Sequence, residues 1–196
     1  MAVGRDIDEI DLLRGAEYSL LAGLLRAAPS AELLTRVADL KGDATPLGMA
    51  HIELADAARG MNETDLSREY FNLFIGVGRG EFLPYGSWYQ TGFLHERPLA
   101  RVREDMAVLG IERDGLSKEP EDHIAILCEI MAGMAQGVFE ADVDQQANFF
   151  DRHLAPWAAR FFADLEINQT ANFYKSVGRV GRTFMELEQE AFKLPH

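Results

Sequence analysis

Apolar and polar residues nowhere alternate for long along this chain. They recur at helical spacing, between residues that start helices and residues that stop them. A strand buries every second side chain, so this pattern excludes a sheet as the organising element. "PSAELLTRVADLKG" offers Ser30 as an N-cap and Gly42 as a stop, and "TPLGMAHIELADAARG" offers Thr45 and Pro46, then Gly60. Asp6 and Glu9 make a capping-box pattern ahead of Ile10, Leu13, Leu20, Leu21, Leu24 and Leu25. Asn62 opens a helix striped by Leu66, Tyr70, Leu73 and Phe74 and ended by Gly76. Residues 98–109, 120–138, 142–154, 156–167 and 171–193 read the same way. The expected fold is all-α, one domain over residues 1–196 with about nine helices. No repeat, low-complexity tract or linker divides it.

One stretch escapes this grammar. In "YFNLFIGVGRGEFLPYGSWY" a helical run gives way to Gly76, Gly78 and Gly80 and then to Phe82, Tyr85, Trp88, Tyr89 and Phe93. A loop of this length in a helical domain is more often functional than not. It is not a nucleotide loop. The dinucleotide fingerprint needs G-x-G-x-x-G between a strand and a helix, and no G-K-[ST] occurs anywhere. Helix termination and turns needing positive φ account for the glycines.

Catalytic and metal chemistry find no purchase either. His51, His95, His123, His153 and His196 are scattered, Cys128 stands alone, and there is no Glu-x-x-His pair or G-x-S-x-G. We expect no enzyme activity, no metal and no cofactor. Charge narrows the partners: 32 acidic against 19 basic residues leave −13, which repels nucleic acid and anionic membranes and attracts a basic peptide. No apolar run approaches the roughly 20 residues that cross a bilayer. The opening "MAVGRDIDEIDLL" carries acids where a secretory signal carries bases, and a single cysteine suits a reducing compartment. A cytosolic location is expected.

A second informative stretch is "EPEDHIAILCEIMAGM". Pro120 suits the first turn of a helix, with Glu119, Glu121 and Asp122 at the positive end of its dipole. Ile124, Leu127, Met131 and Val138 form one stripe, which Ile126 and Ile130 widen, so this helix should be central and Cys128 a core residue. His123 beside Asp122 makes a hydrogen-bonding, acidic spot that suits a cation.

These stretches together resemble the TorD/DmsD family of redox-enzyme maturation chaperones. The pattern Y-x-x-L-F-x-G is met by Tyr70, Leu73, Phe74 and Gly76, and P-[YW]-x-S-x-Y by Pro84, Tyr85, Ser87 and Tyr89. E-P-x-D-H is met by Glu119, Pro120, Asp122 and His123, and H-L-x-P-W by His153, Leu154, Pro156 and Trp157. Val77 replaces a frequent proline, and Ile130 displaces a downstream leucine. The resemblance implies a helical chaperone that binds the twin-arginine signal peptide of a molybdenum-cofactor oxidoreductase and delays export until the cofactor is in place. A formate dehydrogenase or a dimethyl sulfoxide or trimethylamine N-oxide reductase is the implied client. The leader would contact Leu73, Phe74, Pro84, Tyr85, Ser87, Trp88, Tyr89, Glu119, Asp122 and His123. Gly76, Gly78 and Gly80 would serve as a hinge, giving a monomer with a minor domain-swapped dimer. A factor binding GTP or molybdopterin, or a structural helical adaptor, are the competing readings.

Overall fold

The computed structural model describes residues 7–112 and 118–194, and these form ten α-helices. They are α1 (Glu9–Arg26), α2 (Ala31–Ala38), α3 (Pro46–Arg59), α4 (Glu63–Tyr70), α5 (Gly86–Thr91), α6 (Arg97–Val108), α7 (Ile124–Ala135), α8 (Val143–His153), α9 (Ala158–Glu166) and α10 (Phe173–Ala191). A π-helical turn, Phe71–Ile75, continues α4. No strand occurs among the described residues, only an isolated antiparallel bridge between Tyr85 and His123. The all-α expectation is borne out.

The caps explain where the helices start. Ser30, Thr45 and Asn62 each accept from the backbone N–H three residues on, at 3.2, 3.1 and 2.9 Å. Asp142 and Gln145 form a reciprocal capping box ahead of α8. The expected cap Asp6 lies outside the described residues, and Asp8 caps α1 by accepting from Asp11 N at 2.8 Å. Gly42 does not stop α2, which ends at Ala38 with Asp39 as its C-cap. Instead Gly42 lies against the backbone of Gly48, where a Cβ would sit 1.8 Å from the carbonyl oxygen.

The central helix is shorter than the expected 120–138. Pro120–Asp122 forms a turn closed by His123 N donating to Pro120 O at 3.0 Å, and His123 is the N-cap of α7. Glu119, Glu121 and Asp122 therefore precede the helix instead of filling its first turn. The cause is a competing partner: Ile124 N donates to Pro84 O and Gly86 N to Asp122 O, both at 2.9 Å, which holds this segment extended against residues 84–86. At the other end Val138 is 71% exposed and does not extend the core stripe.

Within these bounds α7 is the centre of the molecule. Ile124, Leu127, Cys128, Met131 and Met134 are buried, and α1 packs along it. Helix α10 packs on α9 and α3, while α8 closes the far side of α7. Helices α9 and α10 approach closely because Gly178 and Gly181 present no side chain. A Cβ on Gly178 would meet Glu166 N at 2.5 Å, and one on Gly181 the Phe162 ring at 2.2 Å.

The outer ends of α1 and α10 are locked by a polar network under the apolar core. Arg14 donates from Nε and Nη2 to both oxygens of Glu188 at 2.8 Å each, and Tyr18 donates to the same carboxylate at 2.9 Å. Glu188 is 3% exposed, so losing one partner strands the other in a poorly solvated place. Glu188→Ala should cost about 3 kcal/mol in urea unfolding, whereas Arg59→Ala, which removes an exposed pair with Asp56, should stay within about 0.5 kcal/mol.

Candidate functional site

The backbone pairing of residues 84–86 with 122–124 builds the site. Helix α5 has no side-chain cap of its own. Its free N-terminal N–H groups face Asp122, whose carboxylate accepts from Ser87 N at 2.7 Å and also from the Ser87 hydroxyl. Asp122 and Ser87 are 1% and 0% exposed, so both are inside the protein and partnered. Pro84 is buried beside them, with its carbonyl held by Ile124 N.

On the outer side of this pairing the Tyr85 hydroxyl donates to Glu119 Oε2 at 2.5 Å, and Glu119 is half-buried. The Tyr85 ring meets the His123 ring edge-on at 5.1 Å. Burial, reinforced by Glu119, pushes the Tyr85 hydroxyl well above its ordinary pKa, so it remains a donor. Tyr70 belongs to the same spot. Burial, with a smaller push from Glu119, raises its pKa to about 12, and its hydroxyl donates to Leu25 O at the end of α1 at 3.3 Å.

His123 is 5% exposed, and burial depresses its pKa to about 4, with Glu119 opposing and Arg26 assisting. The ring is therefore neutral at pH 7. Its Nδ1 accepts from Ala125 N at 3.1 Å, which leaves the proton on Nε2. That Nε2–H has no hydrogen-bond partner among the described residues. A buried donor without an acceptor is costly, and such groups in native proteins commonly await a ligand or a water.

The remaining expected residues are distributed around this spot. Leu73 is a core residue. Phe74 packs against Tyr70 at 5.0 Å and Tyr174 at 5.1 Å. Trp88 is half-buried beneath the Arg79 guanidinium, 5.2 Å from its ring. Tyr89 points to the other side of α5, against Trp157 and Phe161, with its hydroxyl held by Asp164. Residues 84, 85, 87, 119, 122 and 123 are thus brought together, while Leu73 and Tyr89 lie in the packing behind them.

The glycine loop folds back compactly. Gly76 N donates to Phe71 O at 2.7 Å and turns the chain at φ 62°. Gly80 then passes so near Phe74 that a Cβ would sit 2.4 Å from its carbonyl carbon, while Gly78 at φ 91° faces open space. Beyond it, Glu81 accepts from Asn168 Nδ2 at 2.6 Å and Thr170 Oγ1 at 2.9 Å, tying the loop to the α9–α10 connection. Next to that tie, Glu69 accepts from the N–H groups of Asn172, Phe173 and Tyr174 and so caps α10 from α4. Sequence reasoning missed Glu69, Arg26 and the contribution of Tyr70 to the pocket. Only Tyr70 carried a signal, as part of the Y-x-x-L-F run.

The family model described as nitrate reductase delta subunit matches residues 40–163, which include Tyr70, Pro84, Tyr85, Ser87, Glu119, Asp122 and His123. The chain belongs to that family. Among its relatives, the protein named chaperone protein TorD from Aliivibrio fischeri is 28% identical over 151 residues, covering 71% of this chain and 70% of that one. A protein of the same name from Shewanella loihica is 27% identical over 201 residues, covering 95% and 84%. A crystal structure described as a redox enzyme maturation protein, from Archaeoglobus fulgidus, superposes with a TM-score of 0.61 at 20% identity, over 95% of this chain and 99% of that one. The last comparison speaks to the fold alone. The TorD/DmsD resemblance read from the motifs is borne out, and the relatives bear the name of a chaperone, not of an enzyme. Among the described residues no group of side chains is arranged to hold a metal ion, and no helix is long and apolar enough to cross a membrane.

Two outcomes follow from the geometry. Asp122→Ala leaves Ser87 N buried without an acceptor and should destabilise the protein by about 1–3 kcal/mol, more than Ser87→Ala does. His123 titrates near 4 in the folded chain and near its ordinary 6.5 when unfolded, so between those values the unfolded state binds more protons. Stability should fall as pH drops from about 6.5 towards 4. His153, also depressed by burial, acts in the same direction, so His123→Gln should flatten the acid limb without abolishing it. Urea melts at a series of pH values read both effects.

Proposed function

We propose that the protein is a redox-enzyme maturation chaperone that binds the twin-arginine signal peptide of a molybdenum-cofactor oxidoreductase. It would hold the apoprotein in the cytoplasm until cofactor insertion and folding are complete. The observation that carries this reading is the juxtaposition of the Glu119 carboxylate with the buried, unpartnered Nε2–H of His123, in a chain of net charge −13. A guanidinium suits Glu119, because a planar fork of donors matches a carboxylate. The neutral imidazole suits a main-chain carbonyl of the leader, to which it donates without repelling the arginines. A protonated histidine there would repel them.

The other residues divide into contacts and supports. Tyr85 orients Glu119 through its hydroxyl, and Asp122 with Ser87 and Pro84 positions the turn that carries both. Phe74 and Trp88 offer aromatic faces on which the second arginine could lie, as Arg79 already lies over Trp88. Leu73 lies in the core, and Tyr89 packs on Trp157 and Phe161 at the other side of α5. Dimethyl sulfoxide, trimethylamine N-oxide reductases and formate dehydrogenases are the candidate clients. Residues 76–80 would serve as the hinge of a minor domain-swapped dimer, since Gly76 and Gly78 hold positive φ; the Phe82 N to Leu73 O bond at 2.7 Å and the Glu81 contacts with Asn168 and Thr170 would then re-form between the two copies.

Isothermal titration with leaders from these client classes should give saturable binding that weakens with salt and with loss of the arginine pair. Glu119→Gln should cost roughly tenfold in affinity with little change in melting temperature. If no leader or precursor binds, or if Glu119→Gln binds as well as the parent chain, the reading fails. Light scattering after size exclusion tests the hinge separately: Gly78→Pro, which cannot hold φ 91°, should raise the dimer fraction.

A further inference from the structure

A groove of about 720 Å³ runs along the outer flank of α1. Ala16, Leu20 and Gly23 form its floor and Leu33, Val37 and Leu40 its far wall, Gln136 at the end of α7 closes it, and the lining also carries Glu17, Glu32 and Arg36. Ala16 and Gly23 keep the floor low on either side of Leu20. Ser19 adds no unsatisfied polarity, since its hydroxyl donates to Gly15 O at 2.8 Å. A Cβ placed on Gly23 would meet only Leu33 Cδ2, at 3.5 Å, so the floor has room above it. Positions 12, 16, 19, 23 and 26 fall on one helical stripe, so exposed Leu12 prolongs the groove at one end and Arg26 stands at the other. From residue 12 to 23 the stripe spans about 16 Å.

The Arg26 end adjoins the site described above. Arg26 pairs with Glu129 on α7, and its charge is felt by His123. A chain leaving the Glu119 carboxylate past the Arg26–Glu129 pair would therefore pass onto a groove whose floor and far wall are apolar. A second copy of this protein is a poor occupant, because it brings another −13 of like charge and its own α1 opens on Asp8, Glu9 and Asp11. A cationic partner with an apolar stretch meets both ends of the surface.

We infer that the α1–α2 groove seats the apolar segment that follows the arginine pair of the leader. This rests on the leader-binding reading above and adds to it a second contact, with its own residues. The arginine end supplies attraction and orientation, and the groove supplies apolar burial and selects leaders whose apolar stretch begins at the right distance from the pair. Helix α2 then has a direct part in binding, although it lies outside the motif-bearing segments.

The test uses the full chain and synthetic leaders of a trimethylamine N-oxide reductase, a dimethyl sulfoxide reductase and a formate dehydrogenase. Each is made in a parent form, a form with the arginine pair changed to glutamine, and a form with the apolar stretch changed to serine and asparagine. Ala16 is exposed on α1, so Ala16→Lys and Ala16→Glu should fold normally by circular dichroism and melting. Both should weaken the parent leader about tenfold, because either charge must be desolvated beneath an apolar segment. Neither should change the residual binding of the serine–asparagine form. A photo-reactive residue in the apolar stretch should cross-link to residues 12–40. Cross-links confined to residues 82–94, or parent-like binding by both variants, would overturn the groove while leaving the arginine site intact. Failure of every parent leader to bind the unmodified protein would overturn both. Disruption of a dimer by Ala16→Lys with leader affinity unchanged would assign the groove to a second copy and overturn the inference.

Discussion

The carboxylate of Asp122, buried at the head of α5, is the contact on which the site depends. It joins two segments 35 residues apart in the chain, and the backbone pairing of residues 84–86 with 122–124 forms around it. A buried carboxylate is tolerable only where donors surround it, and here the start of a helix lacking its own cap supplies them. Because that cap comes from a distant residue, α5 can form only when α7 is in place. The same contact sets Tyr85 over Glu119 and His123. Glu69 repeats the device at the head of α10, tying it to α4. Two carboxylates thus fix how helices meet, while the apolar core fixes only that they do.

Around this frame the ionisable groups take separate tasks. Glu119 stays half-exposed and accepts from the Tyr85 hydroxyl, and His123 is buried deeply enough to remain neutral. Neutrality follows from burial outweighing the nearby carboxylate, which leaves the pocket without a cation at His123. The donor left on Nε2 follows in turn from Nδ1 capping α7. One ring thus combines a helix cap on Nδ1 with a donor left on Nε2. On the proposed reading, the groove along α1 would extend this division, with attraction at the pocket and apolar burial beyond it.

Much of the architecture was legible in the chain. Ser30, Thr45, Asn62 and Asp142 cap helices because their side chains satisfy N–H groups three residues away, and contacts that local can be read from spacing. The breadth of the apolar face of α7 announced a buried helix, and the motif residues at 84–87 and 119–123 announced a site. The start of α7 misled, since Pro120 and three acids imitate a helical first turn.

What the sequence alone determined is therefore the helices, their apolar faces and the two motif segments that the fold brings together. Each rests on interactions between residues within about one helical turn, or on a motif of fixed spacing. What only the tertiary structure decided is which acid does what. Asp122 turned inward to cap α5, Glu119 turned outward to the pocket, and Glu69, in no motif, became the cap of α10. The groove of α1 also waited on the fold, because its walls come from α2 and the end of α7. The physical reason is common to all of these: a carboxylate's role is set by the donors that reach it and the water that is excluded, and both are supplied by residues far away in the chain.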